Sequence, residues 1–138
     1  MAATPWKIEW SDTLSMGDAG IDKDHKAFIA LVNELNSAII RRHSKADVET
    51  ILKRIVDHSV QHFANEEKLF VQMRYPKTQE HMEQHAKLII TLKKIMAKIH
   101  NTDFGREWTE MGLSIKHALI DHILIDDTQY IGHLHKAK

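Results

Sequence analysis

A chain of 138 residues has room for one domain and one core. Its 19 Lys+Arg balance 19 Asp+Glu, which argues against a nucleic-acid or anionic-membrane binder, since both partners select a basic excess. Cysteine is absent, so disulfides, Cys-ligated zinc, iron–sulfur clusters and thiol catalysis are excluded together. The longest apolar run, Ala27–Val32, is too short to span a bilayer. The first residues carry neither a basic start nor an apolar stretch of signal-peptide type. A soluble, cytoplasmic, single-domain protein is expected. One count stands out: 11 histidines, nine of them between His25 and His122, so they are not a terminal tag. Histidine is the commonest metal ligand among side chains.

In chain order, residues 1–20 read as an irregular N-terminal arm whose Trp6, Ile8 and Trp10 are available to pack on a core. Four stretches then place apolar residues at steps of 3, 4 and 7, the spacing of one helix face. The first runs from about Lys23 to Arg42, with Asp22 as its cap and a stripe of Ile29, Val32, Leu35 and Ile39. His43-Ser44-Lys45 forms a turn, and the second helix covers about Ala46 to Met73, with Ile51, Ile55, Phe63 and Phe70. Tyr75-Pro76 breaks the chain, since proline suits a first helical turn and constrains the residue before it. The third helix runs from about Lys77 to His100 along Leu88, Leu92, Ile95 and Ile99. After a polar turn from Asn101 to Gly105, the fourth covers about Arg106 to Leu124 along Met111, Ile115, Leu119 and Ile123. No segment alternates like a strand. The fold class is therefore all-α, an antiparallel up-down-up-down four-helix bundle over residues 21–126, with residues 127–138 as a C-terminal tail.

His62 and Glu66 are four apart on the second helix, as are His81 and His85 on the third. That spacing stacks each pair one turn apart on one face. His25 lies near the start of the first helix and His122 near the end of the fourth. With antiparallel neighbours, all six fall in one layer near one end of the bundle, each on its helix's apolar stripe. Burying five imidazoles without a shared partner would leave donors and acceptors unpaired, at about 1–3 kcal/mol each. A metal cluster removes the problem. Five nitrogens exceed what one tetrahedral zinc uses, and His81-Met82-Glu83-Gln84-His85 is not the zincin motif. No Glu is followed three residues later by His, so the ferritin-like pattern is missing too. A nitrogen-rich di-iron centre remains. For a second bridging carboxylate, helix geometry alone favours Asp126, because the five-residue step from His122 to Asp127 rotates about 140° away.

These residues resemble the hemerythrin family, in its single-domain bacteriohemerythrin form. Trp10 followed by Gly20-Ile21-Asp22-Lys23-Asp24-His25 is similar to the family's opening. His62-Phe63-Ala64-Asn65-Glu66-Glu67 resembles its His-Phe-x-x-Glu-Glu motif. His81 with His85, and His122-Ile123 with Asp127 and Tyr130, resemble the remaining two. Tyr130, three after the aspartate, sets the register on Asp127 and overrules Asp126. The resemblance implies one iron held by His81, His85 and His122, and a second by His25 and His62. Glu66 and Asp127 would bridge both, together with oxide or hydroxide. It further implies an open position on the second iron where O₂ binds reversibly, with no change in buried net charge, which suits a low-dielectric pocket.

The expected function is O₂ storage, delivery to an oxygen-consuming enzyme, or buffering, by a monomer that is not an enzyme. The alternatives are a di-iron enzyme reducing nitric oxide or peroxide, an oxygen sensor acting through a separate partner, and iron handling. Of the other side chains, His58 is expected in the core or behind the ligands, and His117 facing elsewhere. His43, His100, His133 and His135 should be solvated. Glu67 points about 100° from Glu66 and reads as a surface residue. Hydrogen-bond partners should orient each imidazole; Asp24 and Asp121 are adjacent candidates, although residues next to a ligand on a helix rarely share its face. Trp10 is expected to anchor the arm, and Trp108 and Phe63 to belong to the core.

Overall fold

A computed structural model of the chain describes Trp10, Ser15 and residues 19–102 and 106–122. Its four helices are α1 (Ala19–Ile40), α2 (Lys45–Gln72), α3 (Thr78–Asn101) and α4 (Arg106–Asp121). There is no strand among the described residues. The chain is all-α, as its periodicity predicts. The arm and the tail fall almost wholly outside the described residues, as do His133 and His135.

The helix ends show why the chain turns where it does. α1 begins earlier than expected, so Asp22 sits inside its first turn and accepts from Ser15 Oγ at 2.5 Å. An acidic side chain there faces the positive end of the helix dipole. α1 closes through Arg42, whose φ is 54°. His43 N donates to Ala38 O at 2.9 Å and Arg42 N to Ile39 O at 3.2 Å, the paired bonds of a Schellman motif. α2 closes in the same way. Arg74 has φ 51°, and Tyr75 N donates to Phe70 O at 3.0 Å. The Tyr75 ring rests on Phe70 at 5.3 Å, the apolar contact that accompanies this cap. A left-handed arginine costs about 1–2 kcal/mol, which the capping bonds and that contact offset.

Ser44, expected only as a turn residue, caps α2: its Oγ accepts from Asp47 N at 3.2 Å. Lys45 Nζ donates to His100 O at 3.1 Å, satisfying a carbonyl of the last turn of α3 from the first turn of α2. Trp108 is 1% exposed, and its Nε1 donates to Thr102 Oγ1 at 3.2 Å. The indole thereby ties α4 to the end of α3.

α1 packs against α2 and α4, and α3 against the same two. His25 of α1 meets His62 near the end of α2, and His85 near the start of α3 meets His122 beyond α4. These are the contacts of neighbours that run in opposed directions. One core joins Val32, Leu35 and Ile39 to Leu52, Ile55, Leu92, Ile99, Ile115 and Leu119. Each fully buried Leu or Ile contributes about 1.5–3 kcal/mol. A smaller cluster of Phe70 and Tyr75 closes the other end, with Ile21, Leu69 and Met73 packed on it. Trp10 packs on the main core, with Lys26 Nζ 5.0 Å from its ring centre. Among the described residues, no helix is long and apolar enough to cross a membrane.

One core residue breaks the apolar pattern. Asn36 is fully buried, and among the described residues neither its Nδ2 nor its Oδ1 has a hydrogen-bond partner. Eleven residues separate it from His25, so it lies on the same face about 16 Å further along α1. Removing an unsatisfied amide from such a place is favourable. Asn36→Leu is expected to raise unfolding free energy by about 1–3 kcal/mol, read as a higher urea midpoint at unchanged slope. A lowered midpoint would show that the amide is satisfied in solution.

Candidate metal centre

Helix periodicity brings six of the seven expected ligands into one buried layer. Glu66, His81, His85 and His122 form one group and His25, His62 and Glu66 a second; within each, one ligating atom per residue lies within 4.8 Å of all the others. Glu66 belongs to both. His25 is 0% exposed and the other five no more than 4%, so the layer is buried. Asp126 and Asp127 lie outside the described residues.

The spacing of the donor atoms tests the fit to a metal. His85 Nε2 lies 3.2 Å from His122 Nε2 and 3.2 Å from Glu66 Oε1. His62 Nε2 lies 3.4 Å from Glu66 Oε1. Neighbouring ligands around one ion with bonds of about 2.1 Å stand about 3 Å apart. The chemistry agrees with the spacing. His62 Nδ1 is 2.9 Å from Asp24 Oδ2 and His85 Nδ1 is 2.9 Å from Glu67 Oε2. Each Nδ1–H donates to a carboxylate, so in the neutral ring the Nε2 lone pair points at the cluster. Lone pairs and a carboxylate oxygen gathered this closely repel one another until a cation lies between them. The residues fit a metal group.

Phenylalanines wall the imidazoles. Phe63 stacks on His85 at 4.0 Å and 3°; Phe28 meets His62 edge-on at 5.2 Å, and Phe70 meets His81 edge-on at 4.8 Å. These contacts fix ring planes and keep the local dielectric low.

Of the carboxylates behind the imidazoles, Glu67 was read as a surface residue, and Asp24 was a candidate with no imidazole assigned to it. Glu67 is not a mere surface residue: it is 26% exposed and holds His85 from the neighbouring helix. Asp24 does turn away from the face of His25, but in doing so it reaches His62 across the α1–α2 interface. The signal was present in the 100° step: a carboxylate beside a ligand is directed toward the next helix, not only toward water. His58 lies behind the ligands, as expected, with its Nε2 3.1 Å from the Asp24 carbonyl and its ring parallel to His62 at 6.3 Å. His117 is exposed beside Asp121 at 3.8 Å, His100 is exposed and bonded to Glu49, and His43 is exposed.

Comparison with known proteins agrees with this geometry. The sequence model described as the hemerythrin HHE cation binding domain matches residues 16–134. The chain belongs to the hemerythrin family. It is 28% identical to the bacteriohemerythrin of Pseudomonas aeruginosa (strain LESB58) over 125 residues, 90% of this chain and 79% of that protein. It is 30% identical to a hemerythrin-like protein of Naegleria gruberi over 137 residues, 96% of this chain and 98% of that one. A bacteriohemerythrin of Stenotrophomonas maltophilia (strain R551-3) is 28% identical over 89% of this chain and 78% of its own length.

Within this hemerythrin domain, Asp24 and Glu67 each serve one metal group, and their loss should be separable. Asp24→Ala is expected to weaken metal binding at the His25–His62 group about 10–100-fold, and Glu67→Ala by a similar factor at the three-histidine group. Chelator competition with the two metals resolved as separate steps checks this. Equal weakening of both steps by either variant would contradict it.

Proposed function

We propose that the chain binds O₂ reversibly at a non-haem di-iron centre and does not turn it over. His81, His85 and His122 would hold one iron and His25 and His62 the other, with Glu66 and Asp127 as the carboxylates shared between them. The observation that carries this reading is the shared Glu66 between two unequal, fully buried groups of histidines. Bound there, the iron pair supplies the electrons that make O₂ binding reversible.

The rest falls to the protein. Asp24 and Glu67 hold the Nδ1 protons of His62 and His85, which fixes ring orientation and raises the donor strength of Nε2. Both carboxylates are thus committed to imidazoles rather than offered as acids to a bound ligand. The rings of Phe28, Phe63 and Phe70 face the layer and oppose the entry of water, the condition under which bound O₂ leaves unchanged. The two groups are unequal, with two histidines against three, so the His25–His62 side would be the one to accept a ligand from outside. The role put forward is storage, delivery or buffering of O₂ by a cytoplasmic monomer.

The test is the visible spectrum of iron-loaded protein through cycles of reduction, air and oxygen removal. A charge-transfer band that appears with O₂ and fades on its removal, without fresh reductant, supports binding. Irreversible oxidation, or steady consumption of nitric oxide or peroxide under reducing conditions, would replace the carrier reading with an enzymatic one.

A further inference from the structure

We propose that metal ions enter the centre through the groove between α1 and α2, meeting Asp24 first and then Glu66. This rests on the metal-centre reading above and adds a route to it. Among the described residues, three grooves reach the histidine layer, and their walls differ in chemistry. The groove between α2 and α3, of 410 Å³, ends on His85 among Phe63, Met82 and Ile89, and its one carboxylate, Glu67, is already bonded to that imidazole. The groove between α3 and α4, of 330 Å³, ends on His122 beside Leu88 and Ala118, with Gln84, Lys87 and the exposed Asp121 on its walls. The groove between α1 and α2 is larger, at 490 Å³, and has His62, Glu66, Asp24 and Asn65 on its walls.

A hydrated divalent cation sheds water cheaply only where protein oxygens replace it; the other two grooves end on an imidazole, and only the α1–α2 groove ends on a carboxylate of the ligand groups. The α1–α2 groove offers a graded series of such oxygens. Asn65 is exposed, the Asp24 side chain is 35% exposed, and Glu66 is 2% exposed. The path ends at the residue common to both ligand groups, so an ion delivered beside Glu66 is within reach of either. Gly20 presents no side chain across this groove, while Lys23 stands on its wall and opposes a cation. Lys23 therefore sets the rate of entry without belonging to either ligand group.

The test uses the full-length metal-free protein and cobalt(II), with uptake followed by visible absorbance after rapid mixing. Asn65, Ala86 and Thr91 are exposed residues, one on each groove. Tryptophan at each plugs one route, and circular dichroism confirms that each variant folds. Asn65→Trp is expected to slow uptake about tenfold or more, with Ala86→Trp and Thr91→Trp within about twofold of the parent and the same final stoichiometry throughout. Lys23→Glu, which needs no steric argument, is expected to speed uptake about tenfold at low ionic strength, with the gain shrinking at about 0.15 M salt. Parent-like uptake by Asn65→Trp, or slowing confined to either of the other plugs, would overturn the route while leaving the centre intact. Failure of the parent protein to bind cobalt at all would instead overturn the centre.

Discussion

Glu66→Leu is expected to abolish two-metal binding and, at the same time, to stabilise the metal-free fold. The carboxylate is 2% exposed, and its Oε1 lies 3.2 Å from His85 Nε2 and 3.4 Å from His62 Nε2. It is the member shared by the two groups, so its loss removes an anionic ligand from both at once. Affinity at each position should fall more than about 100-fold, beyond the 10–100-fold typical of losing an outer hydrogen-bond partner. Without metal the balance reverses. A carboxylate kept from water carries a desolvation penalty of several kcal/mol, which a packed apolar side chain among neutral imidazoles does not incur. Titration with cobalt(II) and urea unfolding of the metal-free variant check the two halves. A variant that still binds two metals, or whose metal-free form is much less stable, would show that Glu66 is structural rather than a bridge.

Metal removal should itself be the largest perturbation of stability available. Five histidines and a glutamate occupy one end of the bundle at exposures of 0–4%, where apolar side chains would otherwise extend the core. The metal-free layer gathers lone pairs; the loaded layer satisfies them. At free metal about 1,000-fold above the dissociation constant, one site adds about 4 kcal/mol to unfolding free energy. For a chain of this length each kcal/mol moves the midpoint by about 3–6 °C. A melting temperature at least about 10 °C lower for the metal-free protein is expected by calorimetry. Equal melting temperatures would mean that the layer is already satisfied without an ion.

How far the sequence carries the account depends on what kind of contact is asked for. The four helices and the convergence of His25, His62, Glu66, His81, His85 and His122 follow from periodicity, because steps of 3, 4 and 7 fix a face before any packing is known. Helix ends were less legible. α1 starts at Ala19 rather than near Lys23, and Arg42 and Arg74 adopt the left-handed conformation that a reader assigns to glycine. The partners of Asp24 and Glu67 were hidden for a different reason. Each serves a histidine on another helix, and a contact across an interface depends on helix rotation and offset, which residue spacing within one helix does not encode. Asn36 is invisible in the same way, since an asparagine between Leu35 and Ser37 reads as a boundary residue until the core closes over it. The choice between Asp126 and Asp127 turned on an assumption of regular helix beyond His122, and both aspartates lie outside the described residues.

The central claim is that one buried layer holds two metals in unequal surroundings, and anaerobic titration with ferrous iron followed by Mössbauer spectroscopy tests it most directly. The account predicts saturation at two irons per chain, in two spectroscopically distinct environments of equal population. Saturation at one iron, or uptake of many loosely held irons in a single environment, would contradict it.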